Sequence, residues 1–303
     1  MIKAKKDEIC QLFKTATVLS FSGIPNREGE PKDRYAQVIQ QLADGVKEVL
    51  SMPARRAPYV VTRARLLRGA SALHVAAARG RTHLVKVLLD KGANIHDQQW
   101  TENNYTALHA AVINGHSETV QVLLDRGASI DGTTIDEWTA LHWGVFMARI
   151  EVVKVLLDRG VSIDAMTKFA KSTALHAAVD NKVPNIEILK VLLDKGASID
   201  ATTHNGSTAL RLAACHGNIE IVKMLLARGA CASINVPNKW GNTPLHTAAQ
   251  NRYTEVVKLL LENGANTDQR NKLGKTALDI ARQLGWEHGV KLLVAHIAKP
   301  RRS

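Results

Sequence analysis

The chain has 303 residues, 45% of them apolar but only 4% aromatic, and a net charge of +12. A core poor in rings and rich in Ala, Val, Leu and Ile suits close-packed small helices better than a sandwich or barrel. No uncharged apolar run approaches the ~18 residues of a membrane span, and the scattered Cys10, Cys215 and Cys231 form neither a CxxC pair nor a Cys/His cluster. These features exclude a zinc site of ordinary spacing and point to a reducing compartment.

The chain opens on "MIKAKKDEICQLFK", which is basic but lacks an apolar stretch behind the charges, so no secretory leader is expected. Residues 1–33 read as a loose N-terminal segment, with the turn-rich "SGIPNREGEPKD" at 22–33 as its linker. Over residues 34–68, Tyr35, Val38, Ile39, Leu42, Val46 and Val49 fall on one helical face. This helix is expected to cap the apolar edge of the long central segment, as end units of a stack require. The competing reading docks it on a partner. From Ser51 through Leu89 there is no acid, while Arg55, Arg56, Arg63, Arg65 and Arg68 begin a basic block that continues to Lys86. Such a block can hold nucleic acid, an anionic membrane or an acidic protein, or can be a solvated face. Only Tyr59 is interleaved with it, which gives base stacking little support. Residues 1–68 hold 13 Lys/Arg against 7 Asp/Glu, residues 69–290 hold 23 against 21, and residues 291–303 hold 4 against none. The basicity belongs to the flanks, including a short tail at 299–303.

Between the flanks the sequence repeats. "SALH" at 71, "TALH" at 106, 139 and 173, "TALR" at 208, "TPLH" at 243 and "TALD" at 276 are spaced by 35, 33, 34, 35, 35 and 33 residues. Six of the seven copies then carry a Leu pair, from Leu88-Leu89 to Leu260-Leu261, followed by a glycine: Gly92, Gly127, Gly160, Gly196, Gly229 or Gly264. A fixed period near 34 means stacked supersecondary units, none able to bury its apolar face alone. Each copy specifies two helices. Thr139 is placed to cap the first, which is short and alanine-rich in most copies. Ile150, Val153 and Leu157, widened by Val152 and Leu156, give the second its apolar stripe, and Gly160 supplies its left-handed end. The Asp-, Asn-, Thr- and Gly-rich segment up to the next Thr suits a turn or hairpin.

"G-x-T-x-L-H-x-A" with "V-x-x-L-L-x-x-G-A" at this spacing resembles the ankyrin repeat, and the resemblance covers about residues 69–298. It implies an all-α ankyrin-repeat solenoid of stacked helix-turn-helix units with hairpin-like loops, here with a short N-terminal helical cap region, whose concave face carries hairpins and first helices. The last copy, with Asp279 in place of the histidine, looks like a terminal cap. No room is expected after it for the short box by which some family members recruit ubiquitin ligases. Copy four carries two extra residues, with Pro184 expected to open its second helix. Ala148 and Arg252 replace the glycine that closes the first helix elsewhere, at a cost of ~1 kcal/mol each in a left-handed position.

The residues offer little for catalysis. Of 12 histidines, five (His74, His109, His142, His176 and His246) share one repeat position. The resemblance gives that imidazole a structural role, tying adjacent hairpins together by hydrogen bonds. No H-E-x-x-H, G-x-S-x-G, P-loop or G-x-G-x-x-G occurs, and the acids Asp90, Asp125, Asp158 and Asp194 lie one per copy near helix ends. No enzyme, catalytic residue, metal or cofactor is expected.

In the family, binding usually concerns residues one, three and four before the repeat Thr and seven and eight after it. Those positions hold Tyr105, Glu102, Asn103, Ile113 and Asn114 in copy two, and Trp138, Asp136, Ile135, Phe146 and Met147 in copy three. Phe169 in copy four and Trp240 in copy six add to them, while His204, His216, Lys239, Lys272 and Lys275 make the later copies polar and basic. The expected partner site is therefore an exposed aromatic groove of Tyr105, Ile113, Ile135, Trp138, Phe146, Met147, Phe169 and Trp240, centred on copies two to four. The alternatives are cover by residues 1–50 and ordinary packing between repeats. Trp143 is read apart from the groove, as a large-for-small exchange inside the core compensated by Gly144. The expected function is a monomeric, intracellular (cytoplasmic and/or nuclear) scaffold or regulatory adaptor for one or more proteins. The rival is an anion-binding regulator such as a nuclear co-regulator, using Arg55, Arg56, Arg63, Arg65 and Arg68 on nucleic acid or an acidic surface.

Overall fold

The computed structural model describes residues 71–98, 104–181 and 185–298. The capping helix, the basic block at Arg55–Arg68, Glu102, Asn103, Pro184 and the basic tail lie outside the described residues. Fourteen helices and no strand are found among the described residues, with one isolated antiparallel bridge between Thr133 and Thr139. The chain divides into two units at Val161/Ser162.

The first unit stacks three helix pairs: α1 (Ala72–Ala78) with α2 (Thr82–Asp90), α3 (Ala107–Asn114) with α4 (Ser117–Asp125), and α5 (Ala140–Phe146) with α6 (Ile150–Asp158). The second stacks four: α7 (Ala174–Asp180) with α8 (Ile186–Asp194), α9 (Ala209–His216) with α10 (Ile219–Ala227), α11 (Pro244–Gln250) with α12 (Thr254–Glu262), and α13 (Ala277–Gln283) with α14 (Glu287–Ile297). Within each unit, first helices pack on first helices, as α1 on α3 and α9 on α11, and second helices do the same, as α2 on α4 and α10 on α12. Alanines such as Ala76, Ala77, Ala111, Ala213 and Ala248 are fully buried there, which lets backbones come close, while Val85, Leu123, Leu156 and Leu225 seal the second layer.

The start of each first helix explains why Thr and His recur three apart. In α5 the Thr139 hydroxyl accepts from the backbone N–H of His142, while the Thr139 N–H donates to His142 Nδ1 at 3.3 Å. This reciprocal cap satisfies two donors that a helix end leaves orphaned. Because Nδ1 accepts, the ring proton sits on Nε2. That nitrogen donates to the carbonyl just before the next repeat Thr: His74 to Tyr105 at 3.0 Å, His176 to Ser207 at 3.1 Å and His246 to Lys275 at 3.0 Å. The expected tie between hairpins is thus present. Burial pushes the pKa values of all three down, and that of His109, the most enclosed, to about 4. His109 Nε2 makes no hydrogen bond of full geometry, although the Trp138 carbonyl favours its protonated form. Asp279 reproduces only the local half of the device, accepting from Thr276 N–H at 3.0 Å.

The second helices end as expected at Gly160, whose φ of 75° lets the N–H groups of Gly160 and Val161 close back on Leu157 and Leu156. Ala148 and Arg252 adopt the left-handed conformation that their glycine sisters use, with φ of 53° and 61°. Across repeats, Arg126 pairs with Asp90, Arg159 with Asp125 and Arg228 with Asp194, at 2.7, 2.8 and 2.6 Å. These exposed pairs contribute little individually.

Candidate functional site

Turn chemistry positions the aromatic residues of the first unit. Thr134, buried at the start of the turn, accepts from the Trp138 N–H through its hydroxyl, and its own N–H donates to the Trp138 carbonyl at 3.0 Å. Glu137 takes a positive φ of 58° to close the loop. Trp138 is thereby set directly before α5, which carries Trp143 and Phe146 and ends at its C-cap Met147. The rings meet: Trp138 and Trp143 have centroids 4.8 Å apart, Trp138 and Phe146 5.6 Å, and Trp143 and Phe146 6.1 Å. The last two pairs are edge-to-face, the arrangement favoured by aromatic quadrupoles. Phe146 remains 46% exposed and Ile135, at the turn, 45%; Trp138 and Met147 are half-buried.

Two expected surface residues prove to be the floor of this pad. Tyr105 and Ile113 are only 5% and 3% exposed, and Trp143 and Met147 pack against them. The cause is the Trp143 indole, which covers Tyr105 from the next repeat with centroids 5.4 Å apart. The expected place of Trp143 is corrected as well. The indole faces the pad, half-buried, whereas a side chain at Gly144 would meet Val153 at 3.2 Å and Val112 at 3.5 Å. Consecutive helical residues point about 100° apart, so the glycine makes no room for its neighbour. It fits the α3–α6 side of the core instead. Trp143 Nε1 is buried without a hydrogen-bond partner.

Phe169 and Trp240 belong to the second unit. Both occupy exposed turn tips, at 71% and 55% exposure. There they are accompanied by Leu273, 78% exposed, which the family's binding positions do not single out. The recurrence of "NKWG" in "NKLG" is the signal that could have found it. In the copy where arginine replaces the histidine, Arg211 donates to the hydroxyls of Ser207 and Thr247 but leaves its Nε buried and unpartnered.

No group of three or more His, Cys, Asp or Glu side chains able to hold a metal is found among the described residues, and no described helix is long and apolar enough to cross a membrane. What the first unit offers is an apolar pad rimmed by Asp136 and Glu137, both exposed.

Stacked helix pairs of this period, tied by Thr–His caps, define a repeat array. Ankyrin-repeat family models match residues 37–134, 73–167 and 164–236, and a further ankyrin-repeat model matches 225–281. The chain belongs to the ankyrin repeat family. Solved structures similar to it include the human ASB11 ankyrin repeat domain, 32% identical over 76% of this chain and 100% of that one, with a TM-score of 0.63. The ankyrin repeat domain of Bcl-3, a member of the IkappaB protein family, is 27% identical over 75% of this chain and 99% of its own, with a TM-score of 0.65. No curated protein matches the chain. Ankyrin repeat domains are generally protein–protein interaction modules, and the comparisons name no partner.

Proposed function

We propose that the chain is a non-enzymatic, intracellular scaffold or adaptor that holds a partner protein on the aromatic pad of its first unit. The observation that carries this reading is the convergence of Trp138, Trp143 and Phe146, with ring centroids 4.8 to 6.1 Å apart, beside the exposed Ile135. Tyr105 and Ile113 support the pad from below and keep it stiff, so that little conformational entropy is lost on binding. Asp136 and Glu137 beside it favour a partner segment that is apolar at its centre and basic at its edge. Trp and similar anchors in such a centre commonly contribute ~2 kcal/mol or more each.

The test compares wild type with Trp138→Ala/Phe146→Ala after equal helicity and melting have been established. Quantitative capture from nuclease-treated extract of the source cell should lose its partner in the double variant. Undiminished capture would reject the pad. The rival reading, in which Arg55, Arg56, Arg63, Arg65 and Arg68 hold nucleic acid or an acidic surface, predicts instead a capture that collapses with salt and ignores the pad variant.

A further inference from the structure

The second unit presents a different surface, built from turn tips. Four consecutive turns, at 166–172, 202–207, 236–242 and 269–275, contain no Asp or Glu. Their backbones are fused in a ladder: His204 N–H donates to Ala170 O at 2.6 Å, Lys239 N–H to Asn205 O at 2.9 Å, and Lys272 N–H to Trp240 O at 3.0 Å. The last two tips are further pinned by buried asparagines. Asn238 Oδ1 accepts from the N–H of Trp240, and Asn271 Oδ1 from that of Leu273, both at 3.0 Å. Asn271 Nδ2 in turn donates to Asn242 Oδ1 at 2.9 Å. The side chains that project from this row are therefore held out by the fold itself.

Those side chains alternate in kind. Phe169, Trp240 and Leu273 are among the most exposed large apolar residues described, at 71%, 55% and 78%. Each directly follows an exposed lysine: Lys168, Lys239 and Lys272. Lys171 adds a further charge, and none of these four lysines has an ion-pair partner among the described residues. Lys239 Nζ lies 2.9 Å from His204 Nε2, a neutral acceptor when the imidazole is unprotonated. Of the nearby acids, Asp279 is occupied by the Thr276 cap and by Arg270 at 3.7 Å, while the exposed Asp164, Asp200 and Asp268 lie one or two residues before the turns.

We propose that this row is a docking edge for an anionic lipid membrane. Single apolar side chains on rigid protruding tips, each beside a lysine, suit insertion between headgroups while the ammonium groups stay at the phosphate level. The lysines at the tips complement an anionic leaflet. A protein groove would call for a contiguous apolar surface. Base stacking would call for aromatic platforms, and of the three projecting residues Leu273 cannot supply one. This edge acts independently of the aromatic pad.

Sedimentation of the full chain with vesicles tests the proposal, using phosphatidylcholine alone and phosphatidylcholine with a minority of phosphatidylserine. Binding is expected only with phosphatidylserine, falling as salt rises. Trp240→Ala/Leu273→Ala and Lys239→Gln/Lys272→Gln should each weaken it about tenfold. Circular dichroism should leave both variants folded, since the replaced side chains are exposed. Brominated lipid should quench wild-type fluorescence, and Trp240→Phe should abolish that quenching. Absence of binding to phosphatidylserine vesicles overturns the proposal. So does binding unchanged in the tip variants but lost in Arg55→Gln/Arg56→Gln/Arg63→Gln/Arg65→Gln, which would assign it to the flank. Tip-dependent binding of single-stranded RNA or polyglutamate without vesicle binding would overturn it as well.

Discussion

The two units use one repeat frame to opposite electrostatic ends. In the first, the turn at 131–138 carries Asp131, Asp136 and Glu137 without a base, and leads into rings that stack against the body of the unit. In the second, four turns carry no acid, three of them carry lysines, and the large apolar residues of those three project singly. The frame tolerates both because its stability comes from elsewhere, from the Thr–His caps, the alanine contacts and the Leu-rich second layer. Turn tips and the ends of first helices are left free to vary. The difference predicts that substitutions in the buried floor of the pad affect folding and binding together, whereas substitutions at the tips affect binding alone.

The largest effect should come from Tyr105→Ala, which empties the floor beneath Trp143 and Met147. A loss of about 3 kcal/mol is expected in urea unfolding, by analogy with other buried aromatic truncations. Trp240→Ala, at an exposed tip, should change stability by less than ~0.5 kcal/mol. Equal losses at the two sites would erase the distinction between pad and tip.

Acid should act next. His74, His109, His176 and His246 are held neutral by burial, with folded pKa values below the ordinary 6.5. Well above pH 6.5 neither state binds the proton and the fold has its full stability. As pH falls below 6.5 the unfolded chain takes up protons that the folded chain refuses, so stability drops until the folded pKa is reached. For His109, whose folded value is about 4, the loss is about 3 kcal/mol when complete. Urea midpoints measured between pH 7 and pH 4 should fall steadily, and the first unit should show the steepest share. A flat profile would mean that the rings are solvated.

Trp143→Phe sharpens the account of the pad from the other direction. It keeps a ring against Tyr105, Trp138 and Phe146 while removing an indole N–H that is buried without a partner. Stability should rise, by about 1 kcal/mol if the lost ring area is small. A loss of that size would show that the N–H finds an acceptor in solution.

Much of this was legible in the residues, and what was not has a common cause. The period, the two helices per copy, the Thr139 cap, the left-handed Ala148 and Arg252 and the role of the histidines all depend on contacts close in sequence or repeated at one fixed spacing. Burial at Tyr105 depends instead on a side chain 38 positions on, Trp143, whose direction is set by the helical rotation of α5 against the neighbouring turn. Family position alone marks Tyr105 as a surface residue, because a small side chain at the place of Trp143 would leave it open. The projecting row of the second unit was half visible. Lys239, Lys272 and Trp240 stood out singly, but the backbone ladder that aligns them emerges only in three dimensions.

The smallest effects separate the units once more, at the two left-handed residues. Ala148, with φ of 53°, has no side-chain bond to offset its strain, so Ala148→Gly should stabilise the first unit by about 0.5–1 kcal/mol. Arg252, with φ of 61°, carries the same strain, yet its guanidinium donates to the carbonyl of Leu284 at 2.8 Å, a bond to the next repeat. Arg252→Gly relieves the backbone but removes that bond, and the two contributions are of similar size. The expected change is near zero. Arg252→Ala, which loses the bond and keeps the strain, should then be the less stable of the two by about 1 kcal/mol. Thermal melts of the three variants would decide it: a gain at position 252 equal to that at 148 would show that the Leu284 contact contributes nothing to holding the repeats together.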